Sequence, residues 1–255
     1  MSLMHHRVLI ISLLFLALPI TAPAADLVMK TSSEKIAEYV SDVPCVTRKT
    51  DAPLELFLDE SGGLYRVYDS AGVTYSASTL PEAVDGYLRL RDVCVIKEVR
   101  ISGQARISPE AIRFRVKAIP GNVLHRKVVR QDIEEVYSMG YFETVDASTE
   151  GGILTFTVKE YPVIVSIEVE GNSQIKSDEI LKSISMKKFD ILNTKTLKTS
   201  VDRIIALYRE KGYYNVEVDS STKKTEGGIV LTFNVKENQQ LYIKKVNFDG
   251  NVHIS

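Results

Sequence analysis

Two cysteines and four histidines are the residues of this sequence best suited to metal binding or redox chemistry. Cys45 and Cys94 are not spaced as a two-residue redox motif. In an oxidising compartment an even pair of cysteines is more often bridged than free, so the sequence predicts a disulfide, with two buried thiols as the alternative. The histidines are too scattered along the chain to predict a metal site. They are His5, His6, His125 and His253.

No grouping of residues predicts a catalytic site. The glycines form no phosphate-binding loop before a helix, no serine lies in a nucleophile elbow, and no pair of carboxylates stands out by its surroundings. The 32 Lys and Arg nearly balance the 33 Asp and Glu, so no overall field attracts nucleic acid or anionic lipid. We therefore expect a protein that is not an enzyme and needs no cofactor or metal. An exported enzyme with its active site between Asp26 and Val93 is the alternative class.

Residues 1–24 have the composition of a secretory signal peptide. A short basic start, MSLMHHR, precedes the apolar run VLIISLLFLALPI, and small residues follow at Ala22 and Ala24. The alternative is a membrane anchor, but the run is shorter than the roughly 20 residues that cross a bilayer, and Pro19 interrupts it. The sequence therefore predicts export, cleavage and a mature chain that is soluble outside the cytoplasm.

The second half of the chain contains an internal repeat. The segment EGGILTFTVKE at 150–160 is closely matched by EGGIVLTFNVKE at 226–237, at a constant offset of 77 residues, as from Phe156 to Phe233. An opening segment occurs three times. Two copies precede the endings just described, and the third lies near the end of the chain. Apolar residues at every second position predict a strand with one buried face, and the glycine at the end of each copy predicts a turn. The openings are IKEVRISG (96–103), IVSIEVEG (164–171) and IKKVNFDG (243–250).

Between opening and ending, each repeat has the pattern of two helices and a further strand. A short helix is predicted at Ser108 and at Ser177, where serine suits the N-cap position. A longer helix follows and ends at a glycine with two aromatic residues after it, in GYFETVDA from Gly140 and GYYNVEVD from Gly212. Each repeat therefore predicts the order strand, helix, helix, strand, strand in about 70 to 75 residues.

The second strand of each repeat differs in its alternation. Tyr214, Val216 and Val218 alternate regularly, which predicts one side-chain face toward the core, whereas Phe142 and Val145 are three positions apart. A bulge or a later strand start is therefore predicted in the first repeat. One ring of each aromatic pair is expected to pack in the core.

Residues 25–93 precede the repeats and match no family pattern. The runs LELFL, LYRVYD and VTYSAS, separated by ESGG and SAG turns, predict a small β-meander. Helices are predicted near 32–40 and 81–91. We therefore expect a separate small α+β domain in this region.

The order of elements, the GYFETV and GYYNVEV segments, the F-x-V-K-E endings and the openings resemble POTRA (polypeptide-transport-associated) domains. The resemblance covers about 160 of the 255 residues, from Val95 to Ser255. It implies an α+β fold in which a three-stranded mixed sheet is covered by two helices. Tandem POTRA domains after an export signal are similar to the periplasmic arm of BamA-family proteins, which insert and fold β-barrels in the bacterial outer membrane. The family's barrel is absent from this sequence, so we expect a fragment of a longer protein.

The resemblance implies a binding role in the periplasm at the outer membrane. The expected partners are unfolded outer-membrane protein precursors and accessory assembly lipoproteins, with membrane attachment through a C-terminal barrel and no nucleic acid. In the family the second strand lies at the sheet edge, where unpaired backbone groups can accept a strand from another chain. The corresponding residues are Phe142, Glu143, Thr144 and Val145 in the first repeat and Tyr214, Asn215, Val216, Glu217 and Val218 in the second.

Two other functions are compatible with such repeats. A two-partner secretion transporter also carries POTRA units, although that class usually has two, and a cell-division scaffold carries one. The predicted domains are a signal peptide at 1–24, a small N-terminal domain at 25–93, POTRA units at 94–161 and 162–240, and the first strand of a truncated third unit at 241–255.

Overall fold

The computed structural model describes residues 26–240. The predicted signal peptide at 1–24 and the third opening at 243–250 lie outside these residues. Within them, no helix has the length and apolar composition that crossing a bilayer requires. The described chain divides into two compact units, one with residues 26–136 and 145–158 and the other with residues 137–144 and 159–240.

The N-terminal region of the first unit contains one five-stranded sheet and two helices. Its elements are β1 (Leu27–Thr31), α1 (Glu34–Val40), β2 (Val46–Arg48), β3 (Leu54–Ser61), β4 (Leu64–Asp69), β5 (Thr74–Ala77) and α2 (Leu80–Leu90). The strand order is β2-β1-β3-β4-β5, with β1 parallel to both of its neighbours and the remaining pairs antiparallel. The last three strands and both helices match the predicted elements. The short strands β1 and β2 are additional to the prediction.

A buried carboxylate joins the end of β4 to α2. Asp69 accepts hydrogen bonds from the Tyr87 hydroxyl at 2.6 Å and from the Arg91 guanidinium. It also accepts the backbone N–H groups of Ala71 at 2.9 Å and Val73 at 3.0 Å. Burial works to raise the pKa of Asp69, but these donors outweigh it and hold the pKa below its usual value. The carboxylate therefore stays charged and fixes α2 against the sheet.

The two cysteines form the predicted disulfide. Cys45 lies just before β2 and Cys94 lies after α2, and their Cα atoms are 5.6 Å apart, which is typical of a disulfide. Both side chains are buried. The bond closes a loop that spans 49 residues of sequence separation. It therefore joins the first part of the N-terminal region covalently to the start of the first repeat.

We predict that breaking this disulfide lowers the free energy of unfolding of the first unit by about 2–4 kcal/mol, because the unfolded chain regains the entropy of the open loop. Urea unfolding with and without reductant measures the change. The double variant Cys45→Ala/Cys94→Ala is the control, since it should lose similar stability and become insensitive to reductant. Equal stability of the oxidised and reduced proteins would contradict the prediction.

Two modules with the same order of elements follow. The first contains β6 (Glu98–Ser102), α3 (Pro109–Arg113), α4 (Arg126–Tyr137), β7 (Phe142–Glu150) and β8 (Ile153–Glu160). The second contains β9 (Ile164–Glu170), α5 (Ser177–Ser183), α6 (Thr194–Glu210), β10 (Glu217–Thr225) and β11 (Gly228–Lys236). The predicted order of strand, helix, helix, strand, strand and the α+β fold class are therefore confirmed.

Each module has a three-stranded sheet with its last strand in the centre. The strand orders are β6-β8-β7 and β9-β11-β10. The first and last strands of each module are parallel, with Val99 opposite Leu154 and Ile167 opposite Leu231. A parallel pair needs a long crossover connection, which the two helices and the second strand provide. This topology leaves the second strand, β7 or β10, at the sheet edge.

The repeated segment EGGIVLTFNVKE of the second module ends at Glu237, whose carboxylate has a structural role. Glu237 accepts the Tyr208 hydroxyl of α6 at 2.8 Å, and it accepts the backbone N–H groups of Ser173 and Gln174, also at 2.8 Å. Burial works to raise the pKa of Glu237, but the hydrogen bonds outweigh it and lower the pKa. One side chain therefore connects the closing strand, the turn after β9 and the long helix.

The glycine that ends each opening segment approaches the backbone of the closing strand. Gly103 and Gly171 have φ angles of +84° and +76°. A Cβ atom on Gly103 would lie 2.2 Å from the carbonyl oxygen of Val158, and one on Gly171 would lie 2.1 Å from that of Val235. The left-handed backbone and the close contact both require glycine.

We predict that Gly171→Ala destabilises the second unit by about 2–4 kcal/mol, because a clash with a backbone oxygen adds to a left-handed strain of about 1–3 kcal/mol. Gly227→Ala is the matched control, since Gly227 has φ +87° but no atom within 4 Å of its Cβ position. It should lose only the strain. Thermal unfolding compares the two variants, and equal losses would mean that the contact contributes nothing.

Candidate partner-binding edge strands

The candidate residues of the first repeat lie on the edge strand β7. Phe142 and Val145 are buried, and the two residues between them, Glu143 and Thr144, are partly or fully exposed. From Val145 onward, buried and exposed residues alternate. The predicted break in alternation is therefore present, but β7 begins at Phe142, so a later strand start does not explain it.

In the second repeat the edge strand begins later than its alternation predicts. β10 starts at Glu217, so Tyr214, Asn215 and Val216 precede the strand, the first two of them in a turn. Val216 and Val218 are buried as predicted, but Tyr214 is 57% exposed. The prediction that Tyr214 faces the core is therefore wrong.

The aromatic pair after α6 explains this difference. Tyr213, not Tyr214, packs against Tyr208 of α6, with the ring centroids 6.0 Å apart in an edge-to-face arrangement. The Tyr213 backbone N–H also bonds the Tyr208 carbonyl at 3.0 Å. The chain is therefore still completing the helix end at Tyr213 and turns once more before the strand.

Beyond Val218, β10 extends away from the core. Residues 219–225 are all exposed, yet they remain paired with β11 as far as Thr225 opposite Gly228. Within residues 26–240, the other side of this strand has no neighbouring strand. This half of β10 therefore presents a free backbone edge with solvent on both side-chain faces.

An ion pair joins the closing strand to the edge strand in each module. Lys159 lies 2.5 Å from Glu143 in the first module, and Lys236 lies 3.2 Å from Glu217 in the second. These lysines are those of the repeated F-x-V-K-E endings. The pairs are at the surface, so each contributes about 0–1 kcal/mol. Glu143 and Glu217 therefore support the hairpins in addition to lying on the candidate edges.

A mostly buried histidine joins the N-terminal region, residues 26–93, to the first module within the first unit. His125 Nε2 lies 3.0 Å from Asp85 Oδ1 on α2, and Nδ1 lies 3.4 Å from Asp42 Oδ2 after α1. The Tyr39 hydroxyl donates to the same oxygen of Asp85 at 3.0 Å. Asp42 also accepts the Lys127 N–H at 3.0 Å, which caps the start of α4. The sequence gives no signal for this cluster because its members are far apart along the chain.

Both ring nitrogens of His125 face carboxylate oxygens, an arrangement that favours the doubly protonated ring. Burial works to lower the pKa of His125, but the hydrogen bond and charge of Asp85 and the charge of Asp42 outweigh it and raise the pKa. The cluster is suited to binding a proton. Among residues 26–240, no group of three or more His, Cys, Asp or Glu side chains has an arrangement that could hold a metal ion.

We predict that protonated His125 stabilises the first unit, because its pKa is raised in the folded state. The stabilisation is complete below the unfolded pKa of about 6.5 and is lost as pH rises through the folded pKa. Proton NMR titration should give a pKa above the unfolded value. Asp85→Asn should lower that pKa more than Asp42→Asn, since Asp85 is the closer acceptor.

The variant His125→Gln assigns the resonance and serves as the control in urea unfolding. It should remove the fall in unfolding free energy between slightly acidic and slightly basic pH. A wild-type pKa at or below the unfolded value would contradict the prediction, as would an unchanged pH dependence in His125→Gln.

The two modules define a class of small repeated α+β domain, in which two helices and a parallel crossover leave the second strand at the edge. The family model "POTRA: Surface antigen variable number repeat" matches residues 94–161 and 162–238. The two matches together cover more than half of the chain, and each contains one complete module. The chain belongs to the POTRA family.

Two relatives have names that specify a role. An outer membrane protein assembly factor BamA from Nitratidesulfovibrio vulgaris is 32% identical over 161 residues, which are 61% of this chain and 20% of that protein. The outer membrane protein assembly factor BamA from Neisseria meningitidis is 24% identical over 160 residues, again 61% of this chain and 20% of that protein. The chain therefore spans about a fifth of the length of these relatives.

A solved structure has a similar fold. The N-terminal domain of Omp85 from the thermophilic cyanobacterium Thermosynechococcus elongatus has a TM-score of 0.50 and 26% sequence identity, over 56% of this chain and 62% of that chain. The matched 56% of this chain is close to the fraction of its residues that the two modules contain. The predicted resemblance to tandem POTRA domains is confirmed.

Proposed function

We propose that this chain is the periplasmic POTRA arm of an outer-membrane protein assembly factor and that it binds unfolded barrel precursors without catalysing a reaction. Membership of the POTRA family and the names of the BamA relatives support this role. The predicted export signal at 1–24 agrees with a periplasmic location. Attachment to the outer membrane through a C-terminal barrel belongs to the proposal, because the chain spans only part of those relatives.

Strand addition at β10 is the binding mode that we propose. The exposure of residues 219–225, which are paired on one side only, is the observation that supports it most strongly. In an edge strand, every second residue directs its N–H and C=O groups away from the sheet. An extended precursor segment can use these groups to form a further strand. The edge strand β7 offers a second site of the same kind.

Backbone pairing suits a receptor for many different precursors, because it recognises an extended chain with little demand on sequence. Each new hydrogen bond contributes about 0.5–1.5 kcal/mol net. Ordering each peptide residue costs about 1–2 kcal/mol. These contributions largely cancel, so the complex is weak and the precursor can move on. Lys223 and Lys224 add charge at this edge, which disfavours self-association through it.

Accessory assembly lipoproteins are a second class of partner in this proposal. α6 packs Ser200, Ile204 and Tyr208 into the second module. Its opposite face exposes charged residues, among them Lys198 and Asp202. A long helix fixed by its buried face offers a rigid, charged surface for docking a folded protein, without competing for the β10 edge.

Strand addition can be tested with proline in the exposed half of β10. Ser220 and Ser221 are adjacent, so one directs its N–H toward β11 and the other directs it outward. We predict that proline at the outward position weakens binding of extended barrel-derived peptides by about tenfold, the equivalent of one hydrogen bond, while the unit stays folded. Fluorescence anisotropy with a labelled peptide measures affinity, and thermal unfolding measures stability.

The matched controls are Ser220→Thr and Ser221→Thr, which keep the N–H group and should bind peptide like the wild type. Proline at the inward position should instead lower stability. Asn215 is unsuitable because it precedes the strand and its carbonyl accepts Asn238 Nδ2 at 2.6 Å. If the folded proline variant binds as well as the wild type, addition at β10 is the wrong mechanism and α6 becomes the better candidate surface.

A further inference from the structure

The loop between α3 and α4 presents two apolar side chains to solvent. Phe114 is 90% exposed and Ile119 is 52% exposed. Scattered exposed hydrophobic residues are normal, but a ring held almost entirely in water forgoes the burial that favours folding. The Phe114 ring therefore contributes almost nothing to the core of the first module.

The same loop is firmly anchored beneath these side chains. Val116 and Ala118 are buried. The buried carboxylate of Asp132, on α4, accepts the backbone N–H groups of Lys117 at 2.8 Å and Ala118 at 2.9 Å. Because buried and exposed positions alternate here, the exposed side chains project from a fixed base.

The charged residues within segment 113–120 are all basic. Arg113, Arg115 and Lys117 are exposed, and segment 113–120 contains no acidic residue. The charge of Lys117 is attracted by the buried carboxylate of Asp132 and that of Arg113 by Glu98, but both basic side chains remain exposed. The chain as a whole has a net charge of −1, so this positive charge is a local feature of the loop.

The second module has a comparable loop between α5 and α6. Phe189 is 65% exposed and has φ +76°, a conformation that is rare for a bulky residue. Lys188 Nζ lies 4.9 Å from its ring centroid, and Lys187 precedes it. Phe189 corresponds to Gly121 of the first module rather than to Phe114, because the Phe189 N–H bonds the Ile164 carbonyl as the Gly121 N–H bonds that of Ile96, each at 2.7 Å. The second module therefore has no counterpart of Phe114 at this position, which is a feature of the first module alone.

We propose that the Phe114 loop, residues 113–120, binds the surface of an anionic lipid membrane. Aromatic and aliphatic side chains insert shallowly among lipid headgroups, and nearby Arg and Lys are attracted by anionic lipids. A folded protein partner would need a pocket shaped to receive the ring. A lipid surface needs only a projecting apolar tip with exposed cations close to it in the chain, which this loop provides. The proposal does not depend on strand addition at β10.

A tryptophan in the loop tests this contact directly, because the sequence contains no tryptophan. The emission of Phe114→Trp, in the exported chain purified from the periplasm, should shift to shorter wavelength with vesicles of phosphatidylcholine and phosphatidylglycerol. Vesicles of phosphatidylcholine alone should cause no shift. Tyr214→Trp is the matched control, since Tyr214 is also exposed but its neighbours Asn215 and Glu217 carry no positive charge.

Co-sedimentation with the same vesicles measures the contribution of each side chain. Arg115→Gln and Lys117→Gln should each lower the vesicle association constant about fivefold, and Phe114→Ser should lower this constant about tenfold. Thermal unfolding of Phe114→Ser should be unchanged because the ring lies outside the core. An equal shift with neutral vesicles, or unchanged binding by these variants, would overturn the proposal. Binding of acidic peptides without binding of vesicles would also overturn it and assign the loop to a protein partner.

Discussion

Parallel pairing of the first and last strands is the constraint on which each module depends. It puts β8 and β11 in the centre of their sheets, and it requires a crossover long enough to hold the two helices. The close contacts of Gly103 with Val158 and of Gly171 with Val235 allow this pairing to continue to the end of the opening strand. Because the centre is already occupied, the remaining strand takes an edge. The candidate binding surface is therefore a consequence of the same pairing that completes the core.

Within the first unit, covalent and polar contacts hold the N-terminal region, residues 26–93, to the first module. A short segment of chain buries a limited core, so each such contact is a large part of the net stability. The disulfide joins Cys45 of this region to Cys94, just before β6. The buried Asp69 orients α2, and α2 in turn presents Asp85 to His125. The contact between this region and the first module therefore depends on a short series of charged groups, Asp69, Asp85 and His125.

Local sequence patterns predicted much of this fold and little of the long-range chemistry. Alternation identified the module strands and the meander, because side-chain periodicity reflects a buried face. It failed at Tyr214, where the neighbouring Tyr213 took the packing position against Tyr208. The sequence did not predict β1 and β2, because these strands are short and their pairing partners are not adjacent in sequence. The His125 cluster was not predicted, because its members are also far apart in sequence. The edge position of β7 and β10 was predicted from the family resemblance, since alternation alone does not distinguish an edge strand from a central one.

The disulfide also determines how the N-terminal region responds to tension. A pull on the chain ahead of Cys45 and behind Cys94 passes through the sulfur atoms, so the chain between the two cysteines, which forms β2, β3, β4, β5 and α2, cannot be extended while the bond is intact. Only β1 and α1, which precede Cys45, can be drawn out into extended chain. The maximum extension of this region is therefore set by the residues ahead of Cys45, whatever the stability of the fold between the two cysteines.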